Sequence, residues 1–142
     1  MINWFTSRKG AVTLSIITLL THLWRSFLDA MFVFPTDIGD ETYMHLAALI
    51  YTALLAGWTW AIISAASGSR RGLVATFIIN GLIWLMIPVS TLFFYCPIDC
   101  LVDAGWIFVL VNTLNLIFGF LAAVSLGLQL RKTRQVNELA HS

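Results

Sequence analysis

Residues 104–130 read AGWIFVLVNTLNLIFGFLAAVSLGLQL, and the basic cluster RKTR follows directly at 131–134. A membrane-crossing helix needs roughly 20 predominantly apolar residues with few charges among them. This run has no Asp, Glu, Lys or Arg. Moving outward, Tyr43–Ala66 and Leu73–Tyr95 are also free of charge, and Ala11–Phe34 carries only Arg25 and Asp29. A helix satisfies its own backbone hydrogen bonds, as hydrocarbon requires. The expected fold is therefore an all-α integral membrane protein, a single domain over residues 1–142. It is an antiparallel bundle of four transmembrane helices at 11–34, 43–66, 73–95 and 104–130, with a cytoplasmic tail at 131–142.

Composition agrees with that partition. The 142 residues are 59% hydrophobic and 11% charged, whereas soluble domains average about 45–50% apolar and about 25% charged. So few charges would leave large apolar patches facing water. A net charge of +1 offers no electrostatic footprint for a nucleic acid. The connections at 35–42, 67–72 and 96–103 are short, so neighbouring helices run antiparallel and no connection holds a soluble domain. The first span is read as retained: its apolar stretch is long, it contains His22, Arg25 and Asp29, and no small-residue cleavage pattern follows. No motif shared between spans one–two and spans three–four is read.

Basic residues set the orientation. Arg8 and Lys9, Arg70 and Arg71, and Arg131, Lys132 and Arg134 fall on one side of a chain that crosses four times. Asp37, Asp40, Glu41, Asp99 and Asp103 fall on the other. Short loops rich in Lys and Arg stay cytoplasmic. Both termini are expected inside a bacterial-type inner membrane, with the two acidic loops outside.

Lipid supplies no hydrophobic drive between helices, so small residues that permit close approach must hold them together. Ala53, Gly57, Ala61 and Ala65 recur every fourth residue in span two, and Gly119, Ala123 and Gly127 do so in span four. These two ladders are the expected packing faces, within the bundle or against another subunit.

Span one carries the most informative pattern. Ser15, Thr18, His22, Arg25 and Asp29 recur at three- and four-residue steps along one helix face. Such a face turns away from lipid. At about 1.5 Å per residue, His22 and Arg25 lie roughly 18 and 13 Å below the outer end of span one. Asn115 and Asn112 lie roughly 16 and 12 Å below the outer end of span four, and Tyr51 falls near the level of Arg25. His22, Arg25, Asp29, Tyr51, Asn112 and Asn115 are expected to form one buried polar cluster. It serves either to fix helix register and subunit contact or to mark a proton, ion or substrate path.

The only cysteines, Cys96 and Cys100, fall on the outer side, where a disulfide persists. Their spacing permits a bridge across a turn or helix end. A four-helix membrane topology with outer cysteines resembles the disulfide-generating quinone reductases and the vitamin-K-epoxide-reductase fold. In those families a C-x-x-C pair works beside a quinone, usually with a second cysteine pair. Here the pair is C-x-x-x-C and no second pair exists.

His22, His45 and His141 lie at different depths, so two-histidine haem ligation is not expected. No metal-ligand cluster with zinc-like spacing occurs either. No cofactor is implied by spacing, and the deep Trp24, Trp58, Trp60 and Trp84 leave contact with lipid, quinone or pigment open. With no nucleophile–base constellation in the chain, the expected function is non-enzymatic: a small accessory or structural membrane subunit. Its partners are membrane lipids and other integral membrane subunits, or further copies of itself. One alternative is a small oligomeric proton-coupled transporter or channel, since small multidrug exporters resemble this chain in having four spans and an acidic residue in the first. A second alternative is a membrane thiol–quinone oxidoreductase.

Overall fold

The computed structural model describes residues 2–32, 41–94 and 99–140, with side chains over 3–27, 48–85 and 109–136 and at 45, 46 and 107. Among the described residues the regular structure is entirely α-helical: α1 (Ile2–Phe5), α2 (Arg8–Phe32), α3 (Glu41–Ala66), α4 (Arg70–Phe94) and α5 (Asp99–Ala140). Two stretches are long and apolar enough to cross a membrane by length and composition, Ala48–Ala66 in α3 and Val109–Val136 in α5.

The turn between α3 and α4 shows how local chemistry sets the helix ends. Gly68 adopts φ 104°, a left-handed conformation that costs glycine little. Its N–H bonds to Ala65 O and the Ser69 N–H to Ser64 O, which satisfies two otherwise orphaned carbonyls of α3. Ser69 then caps α4 by accepting the Gly72 N–H on its hydroxyl at 3.2 Å. Ser7 caps α2 in the same way, through the Gly10 N–H at 3.0 Å.

Contacts between helices fix their directions. The most extensive are α2 on α5, α5 on α4 and α4 on α3; α2 meets α3 more thinly and α4 only glancingly. Thr18 and Trp84 both face Gly119, Ser26 meets Tyr51, and Ala11, Ala65, Leu73 and Leu126 join in one apolar cluster. Consecutive long helices therefore run antiparallel, with α2 and α4 parallel on a diagonal.

Backbones approach most closely at two glycines outside the small-residue ladders. A Cβ at Gly72 would overlap Ala65 N and the carbonyl carbon of Ser64, and one at Gly10 would overlap Trp4 O. Ladder residues divide between the interior and the surface. Ala61 and Ala65 are fully buried, and Gly119 packs against Trp84 and Thr18. Ala123 is half-buried, and a Cβ added at Gly127 would lie 3.5 Å from the Phe77 ring. Ala53 and Gly57 are exposed on α3, and no atom lies within 4 Å of where a Gly57 side chain would begin.

The terminal segments depart from the expected outline. α5 does not stop at Leu130 but continues as helix through Arg131, Lys132 and Arg134 to Ala140. At 42 residues it is roughly 60 Å long. Lys, Arg, Gln, Glu, Leu and Ala are good helix formers, so the segment expected as a tail extends the helix. At the other end, Ser125 donates its hydroxyl to Phe5 O and ties the one-turn α1 to α5.

Large apolar side chains cover much of the outside, and the interior mixes apolar residues such as Trp58, Leu73 and Leu126 with polar ones. Leu20, Trp24, Leu49, Leu54, Trp60, Ile78, Leu82 and Phe120 are exposed, whereas Ser15, Thr18, Thr76, Asn80, Asn115 and Ser125 are fully buried. In the most apolar windows of α3 and α5 only 22% and 33% of residues face inward.

Candidate functional site

Polar side chains line the space between the helices. Near the basic end, Ser15 and Thr18 on α2 donate to Ala11 O and Leu14 O, and Thr76 on α4 donates to Gly72 O. These bonds one turn back satisfy each hydroxyl proton within its own helix and leave the oxygens able to accept. Asn80 donates to Thr76 O at 2.8 Å and reaches Ser15 Oγ at a long 3.5 Å, which links α4 to α2. Its Oδ1 has no partner among the described residues.

One step deeper lies the level of His22. Because Thr18 faces Gly119 and Ala11 meets Leu126, a step forward along α2 matches a step back along α5. His22 is thus level with Asn115, and Arg25 with Asn112. On the α3 side the His22 ring packs edge-on against Trp58, with centroids 5.7 Å apart, and lies 6.1 Å from Tyr51. Ser26 donates to His22 O at 3.0 Å, so its proton is committed and the Tyr51 hydroxyl donates to Ser26 Oγ. Arg25 is only 6% exposed, although it carries a guanidinium.

Several groups at this level are buried without a partner among the described residues. Trp58 is 1% exposed and Asn115 0%. Trp58 Nε1, both amide atoms of Asn115 and His22 Nδ1 have no hydrogen bond. An unmade hydrogen bond at a buried polar group costs about 1–3 kcal/mol, and water commonly relieves it where there is room.

Of the expected cluster, His22, Arg25, Tyr51, Asn112 and Asn115 have described side chains along the α2–α3 and α2–α5 contacts. Asp29 lies on α2 with its side chain outside the described residues, as does Cys100 on α5, and Cys96 lies outside them altogether. The sequence reading passed over Asn80, Thr76 and Trp58 as site residues. The four-residue step from Thr76 to Asn80 in an otherwise apolar span was the available signal for the first two. An open groove of about 430 Å³ lies at the basic end between the N-terminal turn and residues 129–136 of α5, lined by residues that include Asn3, Arg8, Gln129 and Lys132. It shares no residue with the His22 level. Among the described residues no group of three or more His, Cys, Asp or Glu side chains is placed to hold a metal ion.

Comparison with known proteins finds no family model, no curated protein and no solved structure that matches this chain.

Proposed function

We propose that this chain is a four-span protein of a bacterial-type inner membrane, with both termini and the turn at 67–69 in the cytoplasm. It acts as a small non-catalytic subunit that packs against other membrane helices. The apolar exterior carries this reading: large apolar side chains are exposed along all four long helices, while Ser15, Thr18, Asn80, Asn115 and Arg25 are buried. Hydrocarbon around the helices makes that arrangement favourable, whereas water would make it costly. In this setting the far end of α5 projects from the membrane as helix.

The face of α3 around Ala53 and Gly57 supports the subunit role, because nothing among the described residues covers it and small residues are what close helix approach in lipid requires. Gly57→Leu fills that face without touching the interior. It is expected to leave helix content and melting unchanged while abolishing co-purification with larger membrane proteins after gentle detergent extraction. Association that survives the substitution would remove this face from the interface.

A second reading, the proton-coupled transporter or channel, is favoured by the unpartnered interior atoms of His22, Trp58, Asn80 and Asn115. Polar and ionisable groups buried in a membrane bundle commonly mark a path.

A further inference from the structure

The two halves of the chain repeat. Ser7-Arg8-Lys9-Gly10 returns as Ser69-Arg70-Arg71-Gly72. At that same spacing Val12 matches Val74, Ile16-Ile17 matches Ile78-Ile79, and Leu20 and Leu23 match Leu82 and Leu85. The match continues without a gap through the connections, where Pro35 and Asp37 return as Pro97 and Asp99, and into the next helix, where Gly57 and Ala61 return as Gly119 and Ala123. No such repeat is read from the sequence alone; the structure makes it visible.

Near the starts of α2 and α4 matched residues occupy matched places, whereas further along they diverge: Trp58 is buried and Phe120 exposed, Gly57 exposed and Gly119 buried. Ser7 and Ser69 both cap their helices, and Gly10 and Gly72 both admit a neighbouring backbone. Ala11 and Leu73 are both fully buried, as are Thr18 and Asn80. The ring pair His22–Trp58 at 5.7 Å corresponds, residue for residue, to Trp84–Phe120 at 5.7 Å. Hairpins α2–α3 and α4–α5 run in the same direction, as parallel repeats about an axis along the helices do.

The second hairpin thus serves as an internal control for the first. Its seam is held by Trp84 against Phe120, without an ionisable group in the pair. At the positions of Arg25, Ser26 and Asp29 it carries Ile87, Pro88 and Thr91. The second hairpin makes a ring pair at the same spacing without histidine or arginine, although α4 and α5 pack more extensively than α2 and α3. Burying histidine and arginine in the first hairpin is unfavourable and calls for another reason. Three side chains at that level, His22, Trp58 and Asn115, present unsatisfied polar atoms, and the last two are fully buried.

We propose that the α2–α3 seam is a hydrated proton-binding site, the specialisation of one of two formerly equivalent hairpins. Water bridges the free atoms of His22, Trp58 and Asn115. The imidazole accepts the proton of a hydronium ion, leaving water, and returns it by the reverse step. The groups facing His22 are Arg25 on its own helix, Tyr51 and Trp58 on α3, and Asn112 and Asn115 on α5; Asp29 lies two turns along α2, and α4 brings no titratable side chain to this level among the described residues. Ala11, Ala65, Leu73 and Leu126 close the basic end, so the proton arrives from the opposite end, past Arg25, Ser26 and Tyr51. The proposal rests on the four-span reading for its lipid surroundings, and not on whether the chain acts alone or as a subunit.

The test uses the full chain in liposomes with ¹⁵N-labelled histidine, the His22 signal being assigned by its loss in His22→Gln. The expected result is a His22 resonance that moves between neutral and charged forms from neutral to acidic pH and exchanges magnetisation with water. The double substitution His22→Trp with Trp58→Phe installs the pair already used by the second hairpin. It is expected to keep helix content and melting temperature while removing the titration. A His22 signal that does not move with pH, or one sealed from water, overturns the proposal. So does unfolding of the double variant, because the polar pair would then be structural. Thiol labelling of the loops in the same samples separates these failures from failure of the four-span reading.

Discussion

Gly72→Ala is expected to break the α3–α4 hairpin, with a loss of stability larger than a single added methyl normally causes. The new Cβ would overlap Ala65 N and the carbonyl carbon of Ser64. These are backbone atoms of a helix and cannot rotate aside. Overpacking a tight interior costs typically about 1–3 kcal/mol, sometimes more, and here relief requires the two helices to separate where the Ser69 cap and the Gly68 turn hold them. Detergent melting followed by circular dichroism should show a lower midpoint for Gly72→Ala and no change for Gly81→Ala, where no atom lies within 4 Å of the added carbon. Equal midpoints would mean that α3 and α4 do not approach as described.

The second large effect concerns the outer surface. Leu54 is 66% exposed on α3. On a soluble protein, Leu54→Asp would change stability by no more than about 0.5 kcal/mol, as exposed substitutions do. In the middle of a membrane span the same change costs about 2.5–3.5 kcal/mol in insertion free energy. The expected outcome is a sharp fall in the membrane-inserted fraction, measured by alkaline extraction of membranes. Ser67→Asp, in the turn between α3 and α4, should leave that fraction unchanged. A Leu54→Asp chain that stays fully inserted would argue that this face does not meet lipid.

Much of this organisation was legible in the sequence because it depends on periodicity. The stripe Ser15, Thr18, His22 and Arg25 follows from helical spacing alone, and Thr13, off that stripe, is exposed. Helix existence was legible for the same reason, since apolar runs bounded by Pro, Gly and charge leave little choice. Contacts between helices were harder to read. Ala53, Gly57, Ala61 and Ala65 form one ladder in sequence, yet only Ala61 and Ala65 are buried. Spacing names a face but cannot say how far along it a partner extends.

The repeat is faint in the sequence because its matched residues differ in chemistry along the polar stripe. Thr18 corresponds to Asn80, and His22 to Trp84, so the polar stripe of α2 has no visible copy in α4. Its caps and glycines had not diverged, but two short basic motifs stand out only when Ser7 and Ser69 are seen capping their helices. The helical course of residues 131–140 was missed because charge marks the edge of lipid, not the end of a helix.

Sidedness of the connections is the most direct test of four crossings. Single cysteines introduced as Thr36→Cys, Ser67→Cys or Gln135→Cys, each in a chain carrying Cys96→Ser and Cys100→Ser, would be probed in spheroplasts with a membrane-impermeant thiol reagent. Labelling at residue 36 in intact spheroplasts, and at 67 and 135 only after permeabilisation, is the predicted result. Labelling at residue 67 before permeabilisation, or residues 67 and 135 on opposite sides, would contradict it.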